Sequence, residues 1–310
     1  MKSVLKSLRV PSLRLRGCLL ILILPTLTFA QFRRTRIAVL DFGASATAST
    51  VGDAFRSTFS SNPNSLPTEF EVLDRELTKS AVRGAGYSGS LNMSRQESRD
   101  LGAAIGCDFY FIGEAQSLRR SASTRPIYYE TYASIFLVSA RTGRLILWEK
   151  PSTDAQSMEA SQEQFTMILS ASGSHFVAAI RKAQQEERTE RASAVSNTTP
   201  IIELLSDDDN DRNKDIQAPR PYRRMKPKYP EIASRSEIEA TVDVLVDIDA
   251  QGEVGHTEIE RWAGYGLDQS VLDTVRLMHF FPAMRDGTPI PLRVLLRFNF
   301  RKPPHNSTDR

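Results

Sequence analysis

Residues 239–249 read EATVDVLVDID, and this stretch decides the fold of the C-terminal part of the chain. Every second residue from Ala240 to Ile248 is apolar, while most residues between them are polar. A period of two residues is typical of a β-strand with one buried face. The following residues 249–252 favour a tight turn, because Gly252 can adopt a positive φ at little cost. A second extended run over residues 253–261 completes a predicted hairpin.

The period changes after this hairpin. Apolar residues then recur at the spacing that lines one face of a helix, namely Leu267, Val271, Val275 and Met278. We expect Pro282 to end this helix, because proline lacks the backbone N–H that a helix needs. Beyond a turn at Asp286-Gly287, apolar and polar residues alternate from Leu292 to Phe300, which predicts a third strand. The predicted unit is ββαβ, with the helix packed on one face of the sheet.

Four sequence motifs occur in order in this region. They are YPEIA at 229–233, D-x-x-G-x-V at 249–254, G-x-x-L-D at 264–268, and V-R-x-x-x-F-x-P-A with a following G-x-P at 275–289. With them, residues 220–302 resemble the C-terminal domain of the TonB family. The positions that carry the resemblance are Tyr229, Pro230, Gly252, Gly264, Leu267, Asp268, Pro282 and Gly287. Trp262 departs from the family pattern, and Met278 stands where an aromatic residue is usual.

The resemblance implies a binding protein and not an enzyme. In this family the last strand takes up a short extended segment of an outer-membrane transporter, and force carried along the protein opens the transporter. The matching edge-strand residues here are Arg293, Leu295, Arg297 and Asn299. The alternative is that the arginines only keep an edge strand soluble. If the chain is anchored in the inner membrane, the resemblance further implies an ExbB/ExbD-type motor as a partner.

Residues 31–182 show the mixed pattern of an α/β domain. Strands are predicted at 36–42, 69–73 and 108–115, helices at 50–61, 76–82 and 95–105, a hairpin over 128–140 and 144–150, and a long helix whose buried stripe runs from Met158 to Ile180. The motifs IAVLDF at 37–42, VLDREL at 72–77, L-G-x-x-x-G-x-D at 101–108 and ARTG at 140–143 resemble CsgG-like and TolB N-terminal periplasmic domains. This resemblance implies a scaffold or secretion component.

Residues 1–30 read as a secretory signal peptide, with a basic start, an apolar run and small residues at the predicted cleavage point. An uncleaved inner-membrane anchor is the alternative. Cleavage removes five positive charges and changes the formal net charge from +3 to −2. The mature chain therefore lacks the basic surplus expected of a nucleic-acid-binding protein. It retains only Cys107, so it cannot form an intramolecular disulfide.

Residues 183–219 are predicted to be a disordered polar linker, and residues 303–310 a disordered tail. Within the linker, the apolar island at 201–205 is either a docking segment or a transient helix. A basic patch precedes the C-terminal domain and comprises Arg220, Arg223, Arg224, Lys226 and Lys228. We expect either a solvated approach to the domain or a surface that faces the envelope and binds peptidoglycan.

Motifs that suggest an enzyme fail on context. Residues 84–89 spell GAGYSG, but a dinucleotide fingerprint requires a preceding strand and a following helix, and here a predicted helix comes first. The four histidines are too widely spaced for a zinc motif of the HExxH type. We therefore predict no catalytic residue, no cofactor and no metal.

The sequence predicts a two-domain protein of mixed α/β and α+β class, in which a CsgG-like α/β domain is joined by a polar linker to a ββαβ TonB-type domain. The predicted function is binding of a transporter peptide by strand addition in the periplasm of a Gram-negative envelope. The alternative is an envelope scaffold or secretion-assembly component that acts through the first domain.

Overall fold

The computed structural model describes residues 34–61, 69–122, 125–194, 202–203 and 215–302. The predicted signal peptide or anchor, the tail from residue 303 and the acidic run within the linker lie outside these residues.

The N-terminal half, residues 34–194, contains seven strands and four helices in its described part. In chain order these are β1 (Thr35–Val39), α1 (Ala46–Ser61), β2 (Phe70–Val72), α2 (Arg75–Gly84), β3 (Met93–Ser94), α3 (Arg95–Ile105), β4 (Phe109–Ala122), β5 (Arg125–Ser139), β6 (Leu145–Glu149), β7 (Ser152–Ala155) and α4 (Met158–Ala194). The predicted strands and helices of this half are confirmed in type and order. Sequence analysis missed the short strands β3 and β7.

The main sheet of this half has the order β2-β1-β4-β5-β6, and β7 also pairs with β5. Strand β1 runs parallel to both neighbours, whereas β4, β5 and β6 form antiparallel hairpins. Alternate residues of β1 enter different cores: Ile37 packs with α1 and α4, and Ala38 packs on the opposite sheet face. The first core is centred on Phe55, whose ring lies 4.7 Å from Phe111 and 5.1 Å from Phe176.

The C-terminal half, residues 215–302, contains the predicted ββαβ unit. Including the isolated strand before it, the elements are β8 (Ile202–Glu203), β9 (Ile216–Gln217), β10 (Arg220–Pro221), α5 (Glu231–Arg235), β11 (Ala240–Ile248), β12 (Val254–Trp262), α6 (Leu267–Arg276), β13 (Phe280–Phe281), β14 (Ala283–Arg285), β15 (Thr288–Ile290) and β16 (Leu292–Phe300). The main sheet has the order β3-β12-β11-β16-β8. The short strands around β14 were not predicted.

The turn between β11 and β12 depends on Gly252. Its φ is +84°, and a Cβ at this position would lie 1.8 Å from the carbonyl oxygen of Phe280. Asp249 also holds the turn, because its Oδ1 accepts backbone N–H groups from Gln251 at 2.8 Å and Glu253 at 2.9 Å. Any side chain on residue 252 would separate the turn from the β13 segment.

Helix α6 begins at a carboxyl group that is partly buried. The two oxygens of Asp268 accept the backbone N–H groups of Ala263 at 2.9 Å and Gly264 at 2.8 Å. Burial raises the pKa of Asp268 to about 6, although these two hydrogen bonds oppose the shift. The predicted stripe Leu267, Val271 and Val275 is fully buried.

Two predicted boundaries are wrong. Pro282 does not end α6, which stops at Arg276 where Leu277 N–H bonds the carbonyl of Thr274 and tightens the last turn. Residues 183–194, predicted as linker, continue α4 because Glu187 is buried on the main sheet. Glu187 accepts hydrogen bonds from Ser139 at 2.5 Å and Arg141 at 2.8 Å.

The two halves share one hydrophobic core through the corner, defined here as residues 262–266. Trp262 is 1% exposed, and its indole N–H bonds the carbonyl of Gly143 at 3.1 Å. Its ring lies 5.7 Å from Phe136. Tyr265 donates its hydroxyl to Ser134 at 2.8 Å, and its ring lies 4.6 Å from Trp148. The residue that departs from the family pattern therefore lies inside this interface. The division into two domains stays a sequence prediction.

Replacing Trp262 by alanine is predicted to lower the free energy of unfolding by about 3–5 kcal/mol, because it leaves a cavity between the halves and an unpaired Gly143 carbonyl. Urea unfolding measures this change. The matched control is Leu277→Ala, at a side chain that is 66% exposed, for which we expect a change below about 1 kcal/mol. Equal effects of the two substitutions would contradict the role assigned to the corner.

Asp268 predicts a defined pH dependence of stability. Its pKa in the fold lies above the ordinary value of 3.8, so the stabilisation from this group is complete below pH 3.8 and is lost as pH rises through about 6. Relative to Asp268→Asn, which does not titrate, the wild-type free energy of unfolding should fall by roughly 2 kcal/mol between pH 4 and pH 7. Urea unfolding of both proteins at the two pH values tests this. If the difference in free energy of unfolding between the two proteins is the same at both pH values, folding does not raise the pKa of Asp268.

Candidate functional site

The candidate site is the outer edge of β16, meaning the side of the strand that faces away from β11. On its inner side, β16 pairs with β11 through nine consecutive register pairs from Leu292↔Ile248 to Phe300↔Ala240, with no register shift. On its outer side, the only strand partner in the described part of the chain is β8, which reaches Leu292 and Arg293. The outer side of residues 294–300 thus has no strand partner among the described residues.

The opposite edge of this sheet is partly covered by the N-terminal half. Strand β3 pairs with the end of β12, and the side-chain amide of Asn92 bonds the carbonyls of Thr241 at 2.8 Å and Trp262 at 2.7 Å. Further along β12, Arg95 and Arg144 contact the Glu258 carboxylate at 2.5 and 2.6 Å. Burial raises the pKa of Glu258, but the Arg144 hydrogen bonds and the Arg95 charge outweigh it, and the pKa is lowered overall. The more accessible edge is therefore that of β16.

One face of β16 holds the strand in place. Its apolar residues lie opposite the apolar residues of β11, and this face belongs to the core that includes α6. Phe300 stacks on Tyr229 with ring centroids 6.0 Å apart, and Tyr229 donates its hydroxyl to the carbonyl of Ile238 at 2.6 Å. The strand is therefore fixed before any ligand arrives, which reduces the entropy lost on binding.

The four predicted site residues lie on the other face of β16, in line with its two-residue period. Arg293 pairs with Asp247 through two hydrogen bonds of 2.6 and 2.8 Å. Arg297 pairs with Asp243 in the same way at 2.7 and 3.0 Å. Hydrogen bonding to Asp243 also raises the pKa of Arg297. Both arginines are thus paired with β11, which supports a role in holding the sheet together.

The other two predicted residues complete this face. Asn299 accepts a hydrogen bond from the Thr241 hydroxyl at 2.8 Å, and Leu295 lies opposite Leu245 and is 41% exposed. The sequence carried a signal for the ion pairs that its analysis missed. Asp243 and Asp247 are four residues apart on one strand, as are Arg293 and Arg297 on another, so antiparallel pairing in one register matches both pairs.

The five residues of the basic patch are all exposed. Arg220 lies in β10, which pairs with β13, and its guanidinium carbon is 5.9 Å from the centroid of the Phe281 ring. The rings of Phe281 and Tyr222 are 4.3 Å apart, and both are more than half exposed. No carboxylate partner for these five basic residues is recorded in the described part of the chain.

Three further observations concern metal binding, the glycine-rich stretch and membrane-spanning helices. In the described ranges, no group of three or more His, Cys, Asp or Glu residues is placed to hold a metal ion. The GAGYSG stretch begins at the last residue of helix α2, so a helix precedes it as the sequence predicted, and its residues 85–88 line a cavity of about 620 Å³ with Glu97, Asp100 and Arg261. None of the helices described here has the length and apolar character needed to cross a membrane.

Comparison with known proteins places the C-terminal half in a family. The family described as "Gram-negative bacterial TonB protein C-terminal" matches residues 225–301. The chain is 33% identical over 79 residues to Protein TonB of Vibrio cholerae serotype O1, a match that covers 25% of this chain and 32% of that protein. The chain thus spans about a third of the length of this relative.

Solved structures also show similarity. The C-terminal domain of Pseudomonas aeruginosa TonB, studied in solution by NMR, is 24% identical over 32% of this chain and 91% of its own, with a TM-score of 0.24. The C-terminal domain of LpoB from Salmonella enterica is 16% identical over 38% of this chain and 82% of its own, with a TM-score of 0.27. The family assignment rests on the sequence matches. Residues 225–301 of this chain form a TonB-family C-terminal domain.

Proposed function

We propose that this chain is a periplasmic TonB-like protein that binds an extended peptide segment of an outer-membrane transporter by adding it as a strand to the outer edge of β16. The observation that carries this proposal is the combination of nine unbroken pairs with β11 on one side of β16 and an outer side at residues 294–300 that no strand of the described residues pairs with. Unpaired backbone N–H and C=O groups on such an edge accept another strand.

The regular geometry of β16 supports this use. Pairing of β11 with β12 contains two register shifts, whereas pairing of β11 with β16 contains none. The strand also contains no proline. Bulges and prolines are among the devices that protect an edge from unwanted pairing, and β16 has neither in its pairing with β11. Seven open residues span about 23 Å, enough for a peptide of about seven residues.

Specificity would come from the side chains beside the new strand. Leu295 offers an exposed apolar contact, flanked by the Arg293 and Arg297 ion pairs. Because both arginines already bind aspartates, we propose that they favour polar or acidic peptide residues only as a secondary effect. Backbone hydrogen bonds would supply most of the affinity.

The wider role follows from the family of the C-terminal domain. Transport across the envelope, location in the periplasm and coupling to an ExbB/ExbD-type motor are proposals for this chain, and motor coupling requires residues 1–30 to remain as an anchor. The CsgG-like or TolB-like character of the N-terminal half stays a prediction, as does a peptidoglycan ligand for the basic patch. We propose no catalytic activity.

Photo-crosslinking tests this function. A benzoyl-phenylalanine in place of Leu295 should crosslink, in intact cells, to an extended segment of an outer-membrane transporter, because this side chain lies beside the proposed new strand. Mass spectrometry of the crosslinked peptide identifies the segment. The matched control carries the same group at the more exposed Leu277, beyond the end of α6. Crosslinking to transporter segments at residue 277 but not at residue 295 would overturn the proposal.

A further inference from the structure

One short segment of the chain already lies on the candidate edge. Strand β8 pairs with β16 in parallel, with Ile202 opposite Leu292 and Glu203 opposite Arg293. These are the first two residues of β16. The pairing involves the same outer side that the proposed function assigns to a transporter peptide.

The sequence around β8 suits this position. Residues 201–205 read IIELL within a polar tract that continues as SDDDND, so they form an apolar island. Sequence analysis left open whether this island is a docking segment or a transient helix. The structure shows its two described residues as a strand on a sheet edge, which favours docking.

We propose that β8 is an internal occupant of the β16 edge, which competes with an external peptide and so reduces its apparent affinity. This inference rests on the proposed function, because it concerns regulation of the same edge. An external peptide longer than the seven residues 294–300 would first pair with them and would then displace β8 from Leu292 and Arg293. At these two residues, the external peptide would thus replace β8 as the strand paired with β16.

The covalent connection makes such competition effective. Residues 204–214 join β8 to the C-terminal half at Asp215, and eleven residues span at most about 40 Å. A segment tethered over this distance has an effective concentration on the order of millimolar at the edge. If β8 occupies the edge about nine-tenths of the time, the apparent dissociation constant of an external peptide rises roughly tenfold. The short pairing keeps this closure reversible.

Two double-proline variants distinguish the effect of β8 from the effect of the polar tract around it. Ile202→Pro with Glu203→Pro removes both backbone N–H groups of β8 and prevents strand pairing. Asp209→Pro with Asn210→Pro stiffens the same polar tract and serves as the matched control. Neither pair alters residues of β11, β16 or the shared core, so both variants should fold like the wild type.

The test uses the purified protein and a fluorescent synthetic peptide with the sequence of residues 199–209, TPIIELLSDDD. Fluorescence anisotropy measures its binding, and amide hydrogen exchange reports protection of Leu292 and Arg293. We expect the β8 variant to bind the peptide roughly tenfold more tightly than the wild type and to lose protection at the one of these two residues whose N–H points away from β11. The control variant should match the wild type in both measurements.

The possible failures are distinguishable. Equal affinity and equal protection in the wild type and the β8 variant would overturn the internal occupant, while leaving strand addition itself intact if the peptide binds both proteins. Loss of protection in the β8 variant without any peptide binding would support the internal occupant. That second result would at the same time count against addition of an external strand as the function of this edge.

Discussion

Burial of Trp262 against the N-terminal half is the interaction on which the rest of the structure depends. The indole N–H reaches the carbonyl of Gly143, and the ring packs beside Phe136 on the main sheet. This contact brings the end of β12 to β3, where Asn92 bonds the backbone of both β11 and β12. It thereby partly covers one edge of the C-terminal sheet and leaves the opposite edge available. The position of the candidate site is thus a consequence of how the two halves pack.

The elements with strong periodicity could be predicted from the sequence. The two-residue alternation of β11 and β16 and the helical stripe of α6 are properties of local residues facing one core, so no knowledge of the rest of the fold was needed. Helix α4 shows the limit of this reasoning. Its last turns carry polar residues, and Glu187 is buried only because Ser139 and Arg141, more than forty residues earlier, satisfy its carboxylate. The residues near Glu187 in the sequence give no indication of these two partners.

The sequence predicted which strand forms the candidate site and which residues share its face, but it did not predict the partners of their side chains. Alternation placed Arg293, Leu295, Arg297 and Asn299 on one face, and the structure does so too. Their partners required the register between β11 and β16, which the individual strands do not reveal. The corner residue Trp262 was noted as a departure from the family pattern, but its contact with the N-terminal half depends on tertiary packing that no motif encodes. The same holds for β8 on the outer edge.

The central claim is that residues 294–300 present an open backbone edge to an extended peptide. Amide hydrogen exchange of the full-length protein, with and without a saturating peptide from the plug of an outer-membrane transporter, tests it most directly. The account predicts new protection at alternate residues from Val294 to Phe300, because successive N–H groups of a strand point to opposite sides, and no new protection in β12. Protection that appears only in β12 or in the N-terminal half would contradict the account.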